Sequence, residues 1–265
     1  MNALLSYPGG KWGLADRIVG MMPEHHSYLE PFFGSGAVFF TKPPASIETV
    51  NDLDGDVVNF FRILKICPDA LSREVAMTPY AREVYDQAWE EFGSDPLERA
   101  ARFAIRTKMG FAHKHHTKTG FKLDIGGREA AYALREWNSL PQYIVEAAAR
   151  LKNTQIEKRP AVELIRKFNR PDTLIYADPP YLMETRGGRQ YKHEMSRPDH
   201  EELLHELLRS KAFVMLSGYA SGLYDDALQS WNRVEFSARN QNKDARTEVI
   251  WMNFQPDDGQ VSLGL

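Results

Sequence analysis

A chain of 265 residues, 43% of them hydrophobic, is long enough to bury the core of one large α/β domain or of a domain with an insertion. No apolar run approaches the roughly 18–20 residues of a membrane span, no signal-peptide apolar region opens the chain, and the single cysteine, Cys67, excludes an intrachain disulfide framework; a protein of the reducing cytoplasm is expected. The net charge of −3 hides a segregation, because Arg99, Arg102, Arg106, Lys108, Lys114, Lys118, Lys122 and Arg128 face a single acid, Asp124, in the same stretch.

In chain order, Tyr7-Pro-Gly-Gly-Lys11 reads as a loop before a helix in which Leu14, Ile18 and Met21 or Met22 share a face. A short strand, Ser27 to Glu30, runs into Pro31-Phe32-Phe33-Gly34-Ser35-Gly36, and an apolar run from Ala37 to Phe40 begins a helix. Strand, glycine loop and helix open a nucleotide-binding unit, since glycine lets the backbone approach a ligand and the helix start offers free N–H groups. The third glycine of the dinucleotide fingerprint is missing, which weighs against a nicotinamide-dependent oxidoreductase. Ile47 to Val50 is the next strand. It ends in Asn51-Asp52-Leu53-Asp54, where Asp52 is placed to accept hydrogen bonds from a ribose and Asp54 suits a helix N-cap.

From Val57 to about Asn153 the pattern is helical, with helices expected over 57–66, 81–92, 96–109 and 128–151, the last broken near Pro141. A helical block between strands implies an insertion, so residues 1–56 and 154–265 form one expected domain and 57–153 a second. The first resumes with a strand over 155–158, a helix over 161–168 and a strand from Thr173 to Ala177 that stops at Asp178-Pro179-Pro180-Tyr181, because proline cannot donate to a ladder. Next come a polar loop from Leu182 to Pro198, a helix over 199–209, a strand over 212–217, a helix over 222–229 and a closing hairpin of strands, 232–237 and 247–254. The fold class is therefore α/β, a mostly parallel sheet with a C-terminal antiparallel hairpin and an inserted helical block.

The glycine loop, the acid after the second strand and Asp178 with Tyr181 should meet at the carboxyl ends of the strands. The first two suit an adenosine-containing cofactor. The third suits chemistry on an aromatic amine, whose delocalised lone pair makes it a poor nucleophile. A carboxylate and a carbonyl oxygen accepting its two N–H bonds would localise that pair while an aromatic ring stacks on the base. The amine itself stays open: adenine in DNA, adenine in RNA or in single strands, or cytosine N4. A DNA-binding protein that has lost catalysis is a further alternative, against which the intact tetrapeptide argues.

Four motifs in this order, Tyr7-Pro-Gly-Gly-Lys11, the run from Glu30 to Phe39, Asn51-Asp52 and Asp178 to Tyr181, resemble those of the Dam family of DNA adenine-N6 methyltransferases. The resemblance spans nearly the whole chain and implies a Rossmann-like methyltransferase sheet, S-adenosylmethionine as cofactor and an inserted target-recognition domain. It implies cofactor contacts from Tyr7, Lys11, Glu30, Phe32, Gly34, Gly36, Asp52 and Asp178. The catalytic group would be Asp178, Pro179, Pro180 and Tyr181, with the Pro179 carbonyl as second acceptor and Tyr181 stacked on a flipped adenine. The family more often has Trp where this chain has Tyr7. Double-stranded DNA is the implied partner, contacted by Lys108, His113, Lys114, His116, Lys118 and Lys122 of the insert and by Arg186 and Arg189 beyond the tetrapeptide. No metal is expected, because no cysteine or nearby acid completes a ligand set around His113, His115 and His116. The protein is expected to be bacterial or phage-encoded and to act as a monomer or weak dimer.

Overall fold

Strands whose successive residues are all buried need cover on both faces of their sheet. In the computed structural model, which describes residues 3–90, 93, 95–111, 116–126, 131–186, 188–239 and 245–256, they have it. Seven strands lie in the order β3-β2-β1-β4-β5-β7-β6: β1 (Ser27–Glu30), β2 (Ile47–Asn51), β3 (Thr154–Glu157), β4 (Thr173–Ala177), β5 (Phe213–Tyr219), β6 (Asn232–Arg239) and β7 (Ala245–Met252). The first five are parallel, and β7 runs antiparallel to both β5 and β6. Leu174, Tyr176, Met215, Ile250 and Met252 face one apolar cluster, and Ile175, Ala177, Val214, Leu216, Val249 and Trp251 face the other, the period of two that a pleated strand imposes.

The helices are α1 (Ala15–Gly20), α2 (Ala37–Thr41), α3 (Gly55–Ile66), α4 (Pro68–Met77), α5 (Arg82–Gln87), α6 (Pro96–Met109), α7 (Tyr132–Leu151), α8 (Ala161–Lys167), α9 (Arg197–Leu208) and α10 (Gly222–Ala227). Asp54 caps α3 by accepting from Asp56 N, and Asp95 caps α6 ahead of Pro96. Three expectations change. Helix α4 was not foreseen, although Pro68 starts it and Leu71 and Val75 bury one face. Helix α7 passes through Pro141 unbroken: the lost backbone bond and the clash of the ring with the preceding turn, together about 3 kcal/mol, are outweighed by burial of Trp137, Leu140, Ile144, Ala147 and Leu151 along one stripe. The helical block shares a core cluster with the sheet, in which Tyr28 and Val50 join Phe60, Phe103 and Trp137, so packing is continuous past residue 56. The helix expected over 81–92 ends at Gln87, because the amides of Trp89 and Glu90 turn back to the carbonyls three residues earlier, on Asp86 and Gln87. Residues 128–130 at the start of the expected 128–151 helix and the hairpin turn at 240–244 lie outside the described residues. Among the described residues no helix is long and apolar enough to cross a membrane.

Strand β1 lies between β2 and β4. The chain leaves β1 toward β2 and β3, then returns to the other side of β1 as β4. That reversal is the switch point at which an open parallel sheet holds ligands at its carboxyl edge.

Candidate active site

The cleft opens at that switch point, with a volume of about 390 Å³, and its lining includes Tyr7, Lys11, Glu30, Phe32, Gly34, Asp52, Asp178 and Pro180. Residues distant in the sequence therefore converge on one cleft. Gly36, Pro179 and Tyr181 are not among the lining residues; Pro179 is buried and Tyr181 is 6% exposed.

The glycine loop has its shape for steric reasons. Gly34 and Gly36 have φ of 49° and 68°, where a side chain is strained. A Cβ on Gly34 would stand 3.0 Å from the Tyr7 ring, and one on Gly36 2.6 Å from Phe33. Asp52 holds the loop: Oδ2 accepts from Gly34 N at 2.8 Å and Oδ1 from Asp54 N at 2.8 Å. Asn51 stitches the same edge together, donating to the Pro31 and Arg159 carbonyls and accepting from Arg159 N at 2.8 Å. Beneath the loop, Glu30 is buried and accepts from the Tyr28 hydroxyl at 2.7 Å. Burial dominates its titration and raises its pKa to about 8, against the Tyr28 hydrogen bond.

At the end of β4, Asp178 Oδ2 meets the Lys11 ammonium at 2.9 Å, while its buried Oδ1 has no hydrogen-bond partner among the described residues. Lys11 also donates to Gly9 O at 2.7 Å, lies 3.9 Å from Glu248 Oε2 and sits 4.9 Å from the centre of the Tyr181 ring. Burial works against its charge, but Asp178 and Glu248 outweigh it and raise its pKa above the ordinary lysine value. The Tyr181 hydroxyl donates to Glu248 Oε2 at 2.6 Å.

Beyond the tetrapeptide the chain folds back over the cleft. Arg186 is buried, donates to the Tyr181 carbonyl at 2.6 Å and pairs with Glu194, which also accepts from Gln190 N and Tyr191 N. The Tyr191 ring lies 6.3 Å from Tyr7, and Lys192 reaches Asp54 at 3.2 Å. Arg186 is thus a clamp inside the loop rather than a free surface charge. Lys108 likewise turns inward, donating to Ala3 O at 2.6 Å, so the surface phosphate contact expected of it has no exposed ammonium to make it. Lys118 is exposed and paired with Asp86 at 2.7 Å, and Lys122 is half-buried. His116 and Arg189 line a second cleft with Asp56, Arg106, Tyr191 and Lys192. His113 and Lys114 lie outside the described residues. Sequence reasoning missed Asn51 as a fastener, the Arg186–Glu194 clamp and Glu248. The last had one visible signal, an acid opening the apolar run Val249 to Met252.

A mostly parallel sheet with this strand order, a glycine loop after β1 and Asp-Pro-Pro-Tyr after β4 are the arrangement of a Rossmann-like methyltransferase. The sequence comparisons make the class specific. Residues 7–242 match the family model described as D12 class N6 adenine-specific DNA methyltransferase, and the chain belongs to that family. It is 27% identical over 281 residues to the type II methyltransferase M1.LlaDCHI of Lactococcus lactis subsp. cremoris, covering 96% of each chain. A DNA adenine methylase of Vibrio cholerae is 28% identical over 190 residues, which span 68% of this chain and 65% of that one. The DNA adenine methylase of Escherichia coli K12 is 32% identical over a shorter stretch, 42% of this chain and 41% of that one.

Proposed function

We propose that the protein carries out adenine-N6 methylation on an adenine swung out of duplex DNA, with the residues around Asp178 holding the amine and the glycine-loop side of the cleft holding S-adenosylmethionine. The observation that carries this reading is Asp178 itself: a carboxylate at the switch point with one oxygen on Lys11 and the other buried beside the cleft without a hydrogen-bond partner among the described residues. A buried acceptor of this kind is costly unless a donor arrives, and an exocyclic amino group is such a donor.

The cleft fits the cofactor. Tyr7 and Phe32 offer aromatic and apolar walls, Asp52 presents a carboxylate at the tip of β2, and Gly34 keeps the backbone open to close approach. S-adenosylmethionine, when bound, supplies an electrophilic methyl group. The protein's own contribution is placement: Asp178 and the Pro179 carbonyl accept the two amino hydrogens, which localises the nitrogen lone pair, and Tyr181 supports the ring. Positioning of this kind is worth roughly 7–11 kcal/mol of a barrier, so no strong base is needed. Residues 57–153 act as the target-recognition region. Lys118, Lys122 and His116, with His113 and Lys114, are its DNA-facing candidates, joined by Arg189 from the loop beyond the tetrapeptide, positioning the duplex through phosphates while the base is extruded.

Transfer of a labelled methyl group from S-adenosylmethionine to unmethylated duplex DNA, followed by nucleoside analysis, tests the reading. Label in N6-methyladenine at a fixed short context is the expected result. Intact cofactor binding with no label in duplex DNA, and label in RNA or single strands instead, would overturn the duplex assignment.

A further inference from the structure

Tyr181 is fixed at both ends. Its carbonyl accepts from Arg186 Nε at 2.6 Å, while its hydroxyl donates to Glu248 Oε2 at 2.6 Å and lies 3.1 Å from Ser217 Oγ. The two partners of the hydroxyl, Glu248 and Ser217, come from neighbouring antiparallel strands. The register sets Glu248 on β7 opposite Tyr219 on β5, and Ser217 is two residues before Tyr219 and so on the same face. The Tyr219 ring closes against Tyr181 edge-on, with centroids 4.6 Å apart. Glu248 is 8% exposed, and a carboxylate buried at the head of an apolar strand is costly to desolvate. What it holds in return is the hydroxyl of Tyr181 and, at 3.9 Å, the charge of Lys11. Both belong to the site around Asp178.

We propose that Glu248 is a positioning residue for methyl transfer: through the Tyr181 hydroxyl, with Ser217 as a second contact, it fixes the plane of the ring against which the target base rests. The inference rests on the assignment of Asp178 to Tyr181 as the catalytic segment. A phenol released at its far end can turn about its side-chain torsions. The base then settles off line from Asp178, and a displacement of about 1 Å is enough to cost up to 10²-fold in rate.

A double-variant cycle on the full chain tests this, read as the single-turnover methylation rate with preformed enzyme–DNA complex. Tyr181→Phe keeps the ring and removes the hydroxyl; Glu248→Ala removes the acceptor. Each single variant is expected to lose about 30-fold in rate, with S-adenosylmethionine and DNA affinities within about threefold of wild type. The double variant is expected to be no slower than the worse single one, because both changes cut the same bond. Glu248→Gln keeps an acceptor and is expected to recover about tenfold over Glu248→Ala. Should Glu248→Ala fail to fold in a thermal melt, Glu248→Gln closes the cycle: it slows the wild-type background about threefold and the Tyr181→Phe background not at all. Losses that multiply in the double variant, or a wild-type rate in folded Glu248→Ala, overturn the positioning role alone. A wild-type protein that binds S-adenosylmethionine and duplex DNA without methylating it overturns the parent reading, and this role with it.

Discussion

Two buried lysines, one in the cleft and one in the helical insert, titrate in opposite directions. Lys11 and Lys108 are 5% and 3% exposed, and burial pushes both toward the neutral amine. Around Lys11 the carboxylates of Asp178 and Glu248 reverse that push and raise its pKa. Around Lys108 there is a backbone carbonyl and, at 3.9 Å, Glu136, and its pKa falls to about 8. The cleft is therefore built with negative charge in excess, which a cation balances, whereas the insert carries less surface charge than its basic sequence suggests. A lysine's role follows from what surrounds it.

The comparison breaks first at Asp178. Asp178→Ala is expected to lower the methylation rate by about 10²–10³-fold, with S-adenosylmethionine affinity weakened far less; normal turnover in steady-state assays would remove Asp178 from the chemistry. Next in size is the contrast between the lysines themselves, read by denaturant unfolding. Lys11→Met leaves the buried Glu248 and the half-buried Asp178 without their cation and is expected to cost about 3 kcal/mol. Lys108→Met gives up one bond to a carbonyl but also an unfavourable buried charge, and is expected to change stability by about 1 kcal/mol or less. Equal losses would erase the distinction.

The insert is sharpened by salt. Lys118→Ala and Lys122→Ala are each expected to weaken DNA binding and to reduce the slope of log affinity against log salt by about 1. Lys108→Met is expected to leave that slope unchanged, and a shallower slope there would return Lys108 to the DNA surface. A last contrast is in stability against pH. The folded pKa of Lys108, about 8, lies below the ordinary 10.5. The folded protein therefore binds fewer protons than the unfolded chain between those values, and stability rises with pH across that window. For Glu30 the folded value of about 8 lies above the ordinary 4.5. The folded state now binds more protons, and stability falls as pH rises from 4.5 toward 8. Glu30→Gln is expected to flatten the second slope and Lys108→Met the first, each measured by melting temperature across pH.

The parts legible in the sequence are those set by local rules. Asp178-Pro-Pro ends a strand because proline cannot pair, Gly34 and Gly36 mark a turn, and runs such as Leu174 to Ala177 read as strand whatever lies across from them. The acid at the tip of β2 was legible too, although its role in holding Gly34 N needed the fold. What stayed hidden depends on distant partners. Nothing near Lys108 announces that Ala3 will receive its ammonium, nor does the sequence bring Glu248 to the Tyr181 hydroxyl. Charge is visible in a sequence, and whether it ends up in water is not. Pro141 misled for the same reason, since the packing that carries α7 through it comes from elements far along the chain.

The position of β1 in the sheet also has a consequence for how the chain acquires its structure. Ser27 pairs with Ile47 on one side and with Thr173 on the other. The first partner leaves the ribosome soon after β1; the second follows only after the whole helical block has been made. Until then one edge of a buried parallel strand stands open, and such an edge invites pairing with other chains. Contacts this distant in sequence also slow folding. The insert therefore sets the order of assembly, because the catalytic edge of the sheet closes only after the helices that interrupt it have been synthesised.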